Sequence, residues 1–291
     1  MLMFFLGSAL AALILWICLS PRIAPFLYNR FLFHPGRERG NPEDLRALAR
    51  CSDGCEHFFN NGRGHRLHAW FFGQNSSDNF VILYSMGKDG DIARRAETLA
   101  QLLDSGAAVF VYEYGGYGVS EGRPSLPGIL NDAVAAYDYL THRLGIREDR
   151  VVLYGESLGG AVSAWLVMQR RAAAIILKSA FASLESIAKY RLFFLRLYPS
   201  FLFPTPCLDN ARAVRVALVP TLIVHGQGDR MIPLSHARFL HESATGPSQL
   251  LLLPESRHSF MSDADKVRFR DGIADFIGTL TPAGQVLAHE V

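Results

Sequence analysis

A Gly-x-Ser-x-Gly turn at residues 155–159 is the feature of this sequence with the clearest chemical meaning. The apolar run 151–154 precedes it and an apolar-periodic segment, 161–168, follows it, so the order is strand, tight turn, helix. Such a turn exposes the Ser157 hydroxyl at the C-terminal edge of a sheet and leaves room only for glycine on both sides. It also aims the free amides of the next helix at that hydroxyl. A nucleophile beside donors that stabilise negative charge suits acyl transfer.

Two further residues that could act on this serine follow later strands. Asp229 comes shortly after the apolar run 221–224, and His258 comes shortly after the run 250–253. In a parallel sheet these loops lie at the same edge as Ser157. The order Ser, Asp, His therefore predicts a triad in which His258 takes the serine proton and Asp229 orients His258. Taken singly, Asp229 could be a turn residue and His258 a surface histidine.

The elements that must position these residues are strands and helices in regular alternation. Apolar strands are predicted at 80–84, 107–112, 151–154, 174–177, 220–224 and 250–253, after a hairpin at 56–60 and 65–72. Helical spacing is found at 92–103, 130–140, 161–168 and 265–280. Continuous apolar strands that alternate with amphipathic helices predict a parallel sheet covered on both faces.

Composition excludes several classes of protein. The chain has 291 residues, of which 49% are hydrophobic and 19% charged, so it is long enough for a sizeable core and is not disordered. The net charge is only +2 and no basic run is present, so we expect no nucleic-acid partner. Cys51 and Cys55 have no matching second pair, and we expect neither a metal nor a cofactor. His65 and His68 are predicted to be solvated strand residues.

The N-terminal segment has the composition of a membrane anchor. Residues 1–19 carry no charge. A cleaved signal peptide would have a basic start and a small-residue cleavage site, and both are absent. This length is close to that of a bilayer crossing, so residues 1–20 predict a single-pass anchor, with a buried helix as the alternative. The basic residues that follow predict a catalytic domain facing the cytoplasm: Arg22, Arg30, Arg37 and Arg39. We expect a linker at 21–50 and one domain at 51–291.

The motifs around the three candidate residues resemble a known family. Ser157 lies in Gly-Glu-Ser-Leu-Gly-Gly, and Asp229 in His-Gly-Gln-Gly-Asp-Arg-Met-Ile-Pro, with His258 following. These motifs resemble α/β-hydrolase-fold serine hydrolases, most closely the Bem46-like, abhydrolase-domain-containing proteins of types 13 and 17. The loop 114–122 is similar to that family's Tyr-Arg-Gly-Tyr-Gly-x-Ser-x-Gly. The resemblance spans about residues 28–280. It implies an α/β-hydrolase fold that acts on esters, thioesters or, less often, amides.

The resemblance also implies an oxyanion hole formed by two backbone amides. The first belongs to Leu158, and the second to Lys88 in the loop after the strand 80–84. Met86 stands where the family usually has His, and Lys88 where it usually has Asn. The Lys88 amide can still donate, but side-chain hydrogen bonds that would hold the loop are lost. Alternatively, the Lys88 ammonium could meet an anionic head group.

An apolar cap is predicted between the strands 174–177 and 220–224. The segment 183–209 is rich in leucine and aromatic residues with basic residues among them, which suits an acyl chain or a membrane surface, or packing on the sheet domain alone. The sequence therefore predicts a cofactor-free serine hydrolase that cleaves esters or thioesters of a small or lipid-like apolar acyl substrate through an acyl-enzyme. The alternatives are a serine peptidase of prolyl-oligopeptidase type and a non-catalytic, membrane-anchored interaction protein.

Overall fold

The computed structural model of the protein describes residues 2–36, 40–73, 80–205 and 208–280. Parts of the predicted segments lie outside the described residues, namely residue 1, Arg37 and Arg39 within 37–39, residues 206–207 of the cap, and the end of the chain from 281. The predicted domain boundaries at residues 20 and 50 stay predictions.

An eight-stranded sheet forms the centre of the fold. Its strands are β1 (Cys55–Asn60), β2 (Arg66–Phe72), β3 (Val81–Ser85), β4 (Ala108–Tyr112), β5 (Val151–Glu156), β6 (Ala174–Lys178), β7 (Thr221–Gly226) and β8 (Ser248–Leu253). They lie in the order β1-β2-β4-β3-β5-β6-β7-β8. The pairs β1–β2 and β2–β4 are antiparallel, and the pairs from β4 to β8 are parallel. The predicted mostly parallel sheet is confirmed.

Ten α-helices accompany the sheet in the described part of the chain. They are α1 (Leu2–Cys18), α2 (Phe26–Leu32), α3 (Pro42–Cys51), α4 (Ala96–Asp104), α5 (Leu126–Asp138), α6 (Leu158–Leu166), α7 (Leu184–Arg191), α8 (Asn210–Val216), α9 (Leu234–Ser243) and α10 (Asp263–Gly278). A π-helical turn, Tyr139–Arg143, extends α5. Short 3₁₀ turns occupy Ala93–Arg95, Glu148–Arg150, Phe193–Leu197 and Ser200–Leu202. The side chains of Ser125 and Ser262 cap α5 and α10 by accepting backbone N–H groups.

Two hydrophobic cores lie on the two faces of the sheet. Helices α5, α6, α8 and α9 pack on one face, and α3, α4 and α10 pack on the other. Successive residues of β5 alternate between them, since Leu153 joins the first core and Val152 and Tyr154 join the second. A strand buried on both faces has apolar side chains at every position. The helices on both faces therefore agree with the α/β-hydrolase architecture expected from the sequence.

The N-terminal helix α1 is too short to be the predicted membrane anchor. It has 17 residues, which is about 25 Å at 1.5 Å per residue, whereas the hydrocarbon core of a bilayer is about 30 Å thick. Among the described residues, no helix combines the length and the apolar character that a membrane crossing needs. The prediction of a single-pass anchor at 1–20 is therefore wrong, and the cytoplasm-facing orientation based on Arg22 and Arg30 falls with it.

The end of α1 packs against the cap. The rings of Trp16 and Tyr198 stack with centroids 4.8 Å apart, and the Tyr198 hydroxyl donates to the Trp16 carbonyl over 3.1 Å. Next along the chain, the Arg22 backbone N–H donates to the Leu202 carbonyl over 2.9 Å. The segment 21–50, which the sequence predicts as a linker, contains α2 and α3. Tyr28 of α2 packs with Trp16 against the buried cap residues Tyr198 and Leu202.

We expect Trp16→Ala to release this N-terminal segment from the cap. Loss of the stacked ring removes buried apolar contact, and segments with few such contacts open locally. Trypsin should then cleave after Arg22 several-fold faster than in the parent protein, as followed by mass spectrometry. Leu13→Ala is the matched control, because Leu13 lies on the same helix and is half exposed. Equal cleavage rates for the Trp16 variant and the parent would contradict the docking role.

Candidate active site

Ser157 lies on a strained turn between β5 and α6. Its backbone has φ 56° and ψ −114°, a sparsely populated region for a residue other than glycine. A Cβ atom on Gly155 would lie 2.2 Å from the Gly159 carbonyl oxygen, and a Cβ atom on Gly159 would lie 1.9 Å from the Ser85 carbonyl oxygen. Both glycines are therefore required sterically, for the reason that the sequence indicated.

The structure brings the three predicted triad residues into one hydrogen-bonded chain. Nε2 of His258 lies 3.1 Å from Oγ of Ser157, and Nδ1 of His258 lies 2.8 Å from Oδ2 of Asp229. The other carboxylate oxygen, Oδ1, accepts the backbone N–H groups of Met231 and Ile232 over 2.8 and 2.9 Å. These amides fix the carboxylate, which in turn can hold the imidazole with its Nε2 towards the serine.

The electrostatics around Asp229 favour its ionised form. Burial of the carboxyl raises its pKa, but the hydrogen bond and the charge of His258, together with the Ile232 amide, outweigh burial, and the pKa of Asp229 lies below its ordinary value. The neighbouring His225 is fully buried and its Nε2 donates to the Ile232 carbonyl over 2.9 Å. Burial lowers the pKa of His225, so this imidazole is neutral at neutral pH.

The residues predicted to supply the oxyanion donors both lie beside Ser157. Leu158 is the first residue of α6, and the first N–H groups of a helix have no acceptor within that helix. A Cβ atom on Gly87 would lie 3.7 Å from Cβ of Ser157, so the loop that carries Lys88 runs past the nucleophile. Leu158, Lys88 and Ser157 line the same cavity.

Tyrosine hydroxyls from a neighbouring loop hold the predicted oxyanion loop. The Tyr114 hydroxyl donates to the Met86 carbonyl over 2.9 Å, and the Tyr117 hydroxyl donates to the Lys88 carbonyl over 2.9 Å. The backbone N–H of His34 also donates to the Lys88 carbonyl over 2.9 Å. Side-chain hydrogen bonds are therefore present on this loop, although the sequence predicted their loss. They come from the tyrosines of the loop 114–122.

A buried charged cluster that the sequence analysis missed lies directly beneath Ser157. Nζ of Lys178 is 2.9 Å from Oε1 of Glu156. The Tyr84 hydroxyl donates to Oε2 of Glu156 over 2.6 Å, and Nη1 of Arg95 lies 3.5 Å from the same oxygen. Burial raises the pKa of Glu156, but Lys178, Arg95 and these hydrogen bonds hold it well below its ordinary value. The cluster joins the ends of β3, β5 and β6. Charged residues at the ends of fully apolar strands were the available signal.

His68 is a second residue whose surroundings differ from the prediction. It is buried rather than solvated, with Nδ1 2.9 Å from Glu113 and Nε2 2.9 Å from Glu56. Glu113 also accepts the backbone N–H of Val119 over 2.9 Å. These contacts tie β2 to the loop that carries the two tyrosines. Glu56 lies on the other strand of the predicted hairpin, whereas Glu113 is distant from His68 in the sequence. His65 is partly exposed.

Two cavities of different character meet at Ser157. One has a volume of about 340 Å³ and is lined mainly by apolar residues of α2, α7 and the cap, among them Phe31, Leu32, Ile187, Leu192, Leu195 and Phe203. The other has a volume of about 240 Å³ and is lined mainly by polar and charged residues, among them Lys88, Arg95, Glu156, Lys178, Arg257 and His258. The described part of the predicted cap therefore covers the nucleophile on its apolar side.

Comparison with known proteins agrees with this fold. A model of the prolyl oligopeptidase family matches residues 128–281. Protein YfhR of Escherichia coli K12 is 30% identical over 224 residues, which cover 74% of this chain and 77% of YfhR. The chain belongs to the prolyl oligopeptidase family. Membership makes it a hydrolase of the α/β-hydrolase type, and the resemblance noted in the sequence is confirmed.

One further relative and one solved structure are also similar to this chain. The alpha/beta hydrolase domain-containing protein 17B of Xenopus tropicalis is 29% identical over 225 residues, which cover 74% of this chain and 73% of that protein. The esterase Pf2001 of Pyrococcus furiosus superposes with a TM-score of 0.68 at 14% identity, over 86% of this chain and 97% of the esterase. At that identity the superposition shows a shared fold.

We expect Tyr114→Phe and Tyr117→Phe to slow reaction at Ser157. Each change removes one hydroxyl that fixes the loop carrying Lys88, and loss of a whole oxyanion donor costs about 10²–10³ in rate. A misplaced donor should cost less, about 10-fold for each variant. The measurement is the second-order rate constant for labelling by a fluorophosphonate probe. Tyr137→Phe is the control, because that hydroxyl donates to the Arg171 carbonyl instead. Unchanged labelling in both variants would contradict the positioning role.

We expect Ser157→Gly to be more stable than Ser157→Ala. Glycine adopts the positive φ of this position without the strain that any Cβ atom brings. After the greater entropy of unfolded glycine is subtracted, the free energy of unfolding should be about 1 kcal/mol higher for the glycine variant. Urea denaturation of the two inactive variants measures this difference. A more stable alanine variant would show that the turn is unstrained.

Proposed function

We propose that this hydrolase cleaves esters or thioesters of apolar acyl groups by nucleophilic catalysis at Ser157. The observation that carries the proposal is the hydrogen-bonded chain of Ser157, His258 and Asp229 at the opening of an apolar cavity of about 340 Å³. Concave sites lined by apolar side chains, with a few polar groups that fix orientation, are typical of small-molecule binding.

The reaction proceeds in two steps, acylation of Ser157 and hydrolysis of the acyl-enzyme. Oγ of Ser157 attacks the acyl carbon while Nε2 of His258 takes the hydroxyl proton. The backbone N–H groups of Leu158 and Lys88 hold the tetrahedral oxyanion. As the intermediate collapses, His258 gives its proton to the leaving oxygen or sulfur, which departs as an alcohol or thiol. Water then attacks the acyl-enzyme with His258 as base, and the carboxylic acid leaves with Ser157 restored. Asp229 stabilises the imidazolium in both steps.

The walls of the larger cavity support an apolar acyl group. Cap residues Ile187, Leu192 and Phe203 line it together with Phe31 and Leu32 of α2. Burying a methylene group is worth about 0.8 kcal/mol, so each added methylene should strengthen binding until the cavity is full. The fold shared with an esterase of Pyrococcus furiosus is consistent with this substrate class.

The test uses the full chain, a fluorophosphonate probe and p-nitrophenyl esters of increasing acyl length. The parent protein should be labelled, and kcat/KM should rise with chain length before it reaches a plateau. Ser157→Ala should abolish labelling, and Ser157→Ala and His258→Ala should each lower ester hydrolysis by at least about 10³-fold, because nucleophile and base act as a unit. His142→Ala, a change at an exposed histidine, is the control. Substantial turnover by either triad variant would refute the assignment.

A serine peptidase is the second candidate, and the match to the prolyl oligopeptidase family favours it. The same chain of Ser157, His258 and Asp229 would serve an amide carbonyl. A prolyl p-nitroanilide peptide, compared with a p-nitrophenyl ester of the same acyl size, separates the two. Higher kcat/KM on the anilide would place the peptidase first. A folded protein that is neither labelled nor active would instead favour the non-catalytic interaction protein.

A further inference from the structure

We propose that the leaving group of the substrate carries a phosphate monoester, which binds in the polar cavity at Arg257. The inference rests on the proposed function and deepens it. It concerns the leaving group, which is the half of the substrate that does not occupy the apolar cavity. Three observations support it: the position of His258, the charge balance of the polar cavity, and the surroundings of Arg257.

The position of His258 decides which cavity receives the leaving group. The leaving oxygen or sulfur must come within hydrogen-bond reach of Nε2 of His258, which gives it a proton. His258 lines the polar cavity but is not among the residues that line the apolar one. Ser157 lines both. A substrate with its carbonyl at Ser157 therefore has its acyl chain on the apolar side and its leaving group on the polar side.

The polar cavity carries an excess of positive charge. Five basic side chains line it besides His258, against three carboxylates: Lys88, Arg94, Arg95, Lys178 and Arg257 against Asp89, Glu97 and Glu156. Two of the carboxylates are already paired with groups outside the lining, since Asp89 lies 2.8 Å from His34 and Glu97 lies 2.5 Å from Lys266. The third, Glu156, faces both Lys178 and Arg95. A cavity of this composition attracts an anion.

Arg257 is the cation best placed to recognise that anion. It directly precedes His258 in the chain and is exposed at the cavity. Within the described part of the chain, its guanidinium forms no ion pair. A guanidinium presents five N–H donors in a planar fork that matches phosphate oxygens bidentately. The several cations at this cavity favour a phosphate, with close to two negative charges and three acceptor oxygens, over a single carboxylate.

The test compares phosphorylated and neutral leaving groups on one acyl chain. The oxygen-ester pair is octanoyl glycerol 3-phosphate and octanoyl glycerol, and the thioester pair is octanoyl-4′-phosphopantetheine and octanoyl-pantetheine. A charge-assisted hydrogen bond is worth about 1.5–3 kcal/mol, and 1.4 kcal/mol is tenfold. For at least one pair, we expect kcat/KM of the parent protein to be about 10-fold or more higher for the phosphorylated member. The pair that shows this preference identifies the source of the phosphate.

The variants attribute that preference to Arg257. Arg257→Gln should lower the ratio of kcat/KM for the phosphorylated to the neutral ester about 10-fold, and Arg257→Lys should lower it less, because one charge remains without the planar fork. Arg268→Gln is the control, since Arg268 is exposed and does not line the cavity. Added salt should reduce the preference of the parent protein.

Two outcomes overturn the inference without touching the proposed function. Equal kcat/KM for both members of both pairs would show that the phosphate is not recognised. A ratio that survives in Arg257→Gln would show that Arg257 does not bind it. Failure of the proposed function looks different, because the parent protein would then hydrolyse neither neutral ester and would not react with the fluorophosphonate probe.

Discussion

The close approach of α6 to the ends of β3 and β5 is the constraint on which the rest of the site depends. Backbone atoms of Gly159 and Gly160 leave no space for a side chain at Gly155, and the Ser85 carbonyl leaves none at Gly159. Ser157 lies between these two glycines with a positive φ and directly precedes Leu158, the first residue of α6. The strain is sustained because β3 and β6, paired in register on the two sides of β5, fix the strand end of the turn.

The charged cluster beneath the Ser157 turn also fixes the neighbouring strands β5 and β6. Glu156 and Lys178 are paired residues of neighbouring strands, and Arg95 reaches them from the segment before α4. A buried ion pair adds little net stability, but removal of one partner leaves an uncompensated charge and costs several kcal/mol. The cluster therefore favours one arrangement of β5 and β6 over alternatives that would strand a charge. Because Ser157 directly follows Glu156, fixing the end of β5 also fixes the backbone of Ser157.

Most of the fold and the three central site residues were predictable, because both depend on local patterns. Strands buried on both faces are continuous apolar runs. Ser157, Asp229 and His258 each follow such a run, and the ends of these strands lie at one edge of the sheet. What the sequence could not show depends on tertiary contact. His68 is buried between Glu56, on the other strand of the predicted hairpin, and Glu113, which only the tertiary structure brings to it. Composition alone also predicted a membrane crossing at residues 1–20, whereas α1 ends at Cys18 and Trp16 near its end packs on the cap.

The predicted oxyanion loop keeps its support although its residues depart from the family pattern. Its departures from the family pattern, Met86 and Lys88, suggested a loop without support. The loop must be held rigidly because a donor acts only at the position that the oxyanion will occupy. Any hydroxyl that reaches its carbonyls can meet that demand, and Tyr114 and Tyr117 do so from a loop that is itself tied to β2 through Glu113 and His68. A site that loses its usual residues can therefore keep its geometry, provided that another element supplies the missing hydrogen bonds.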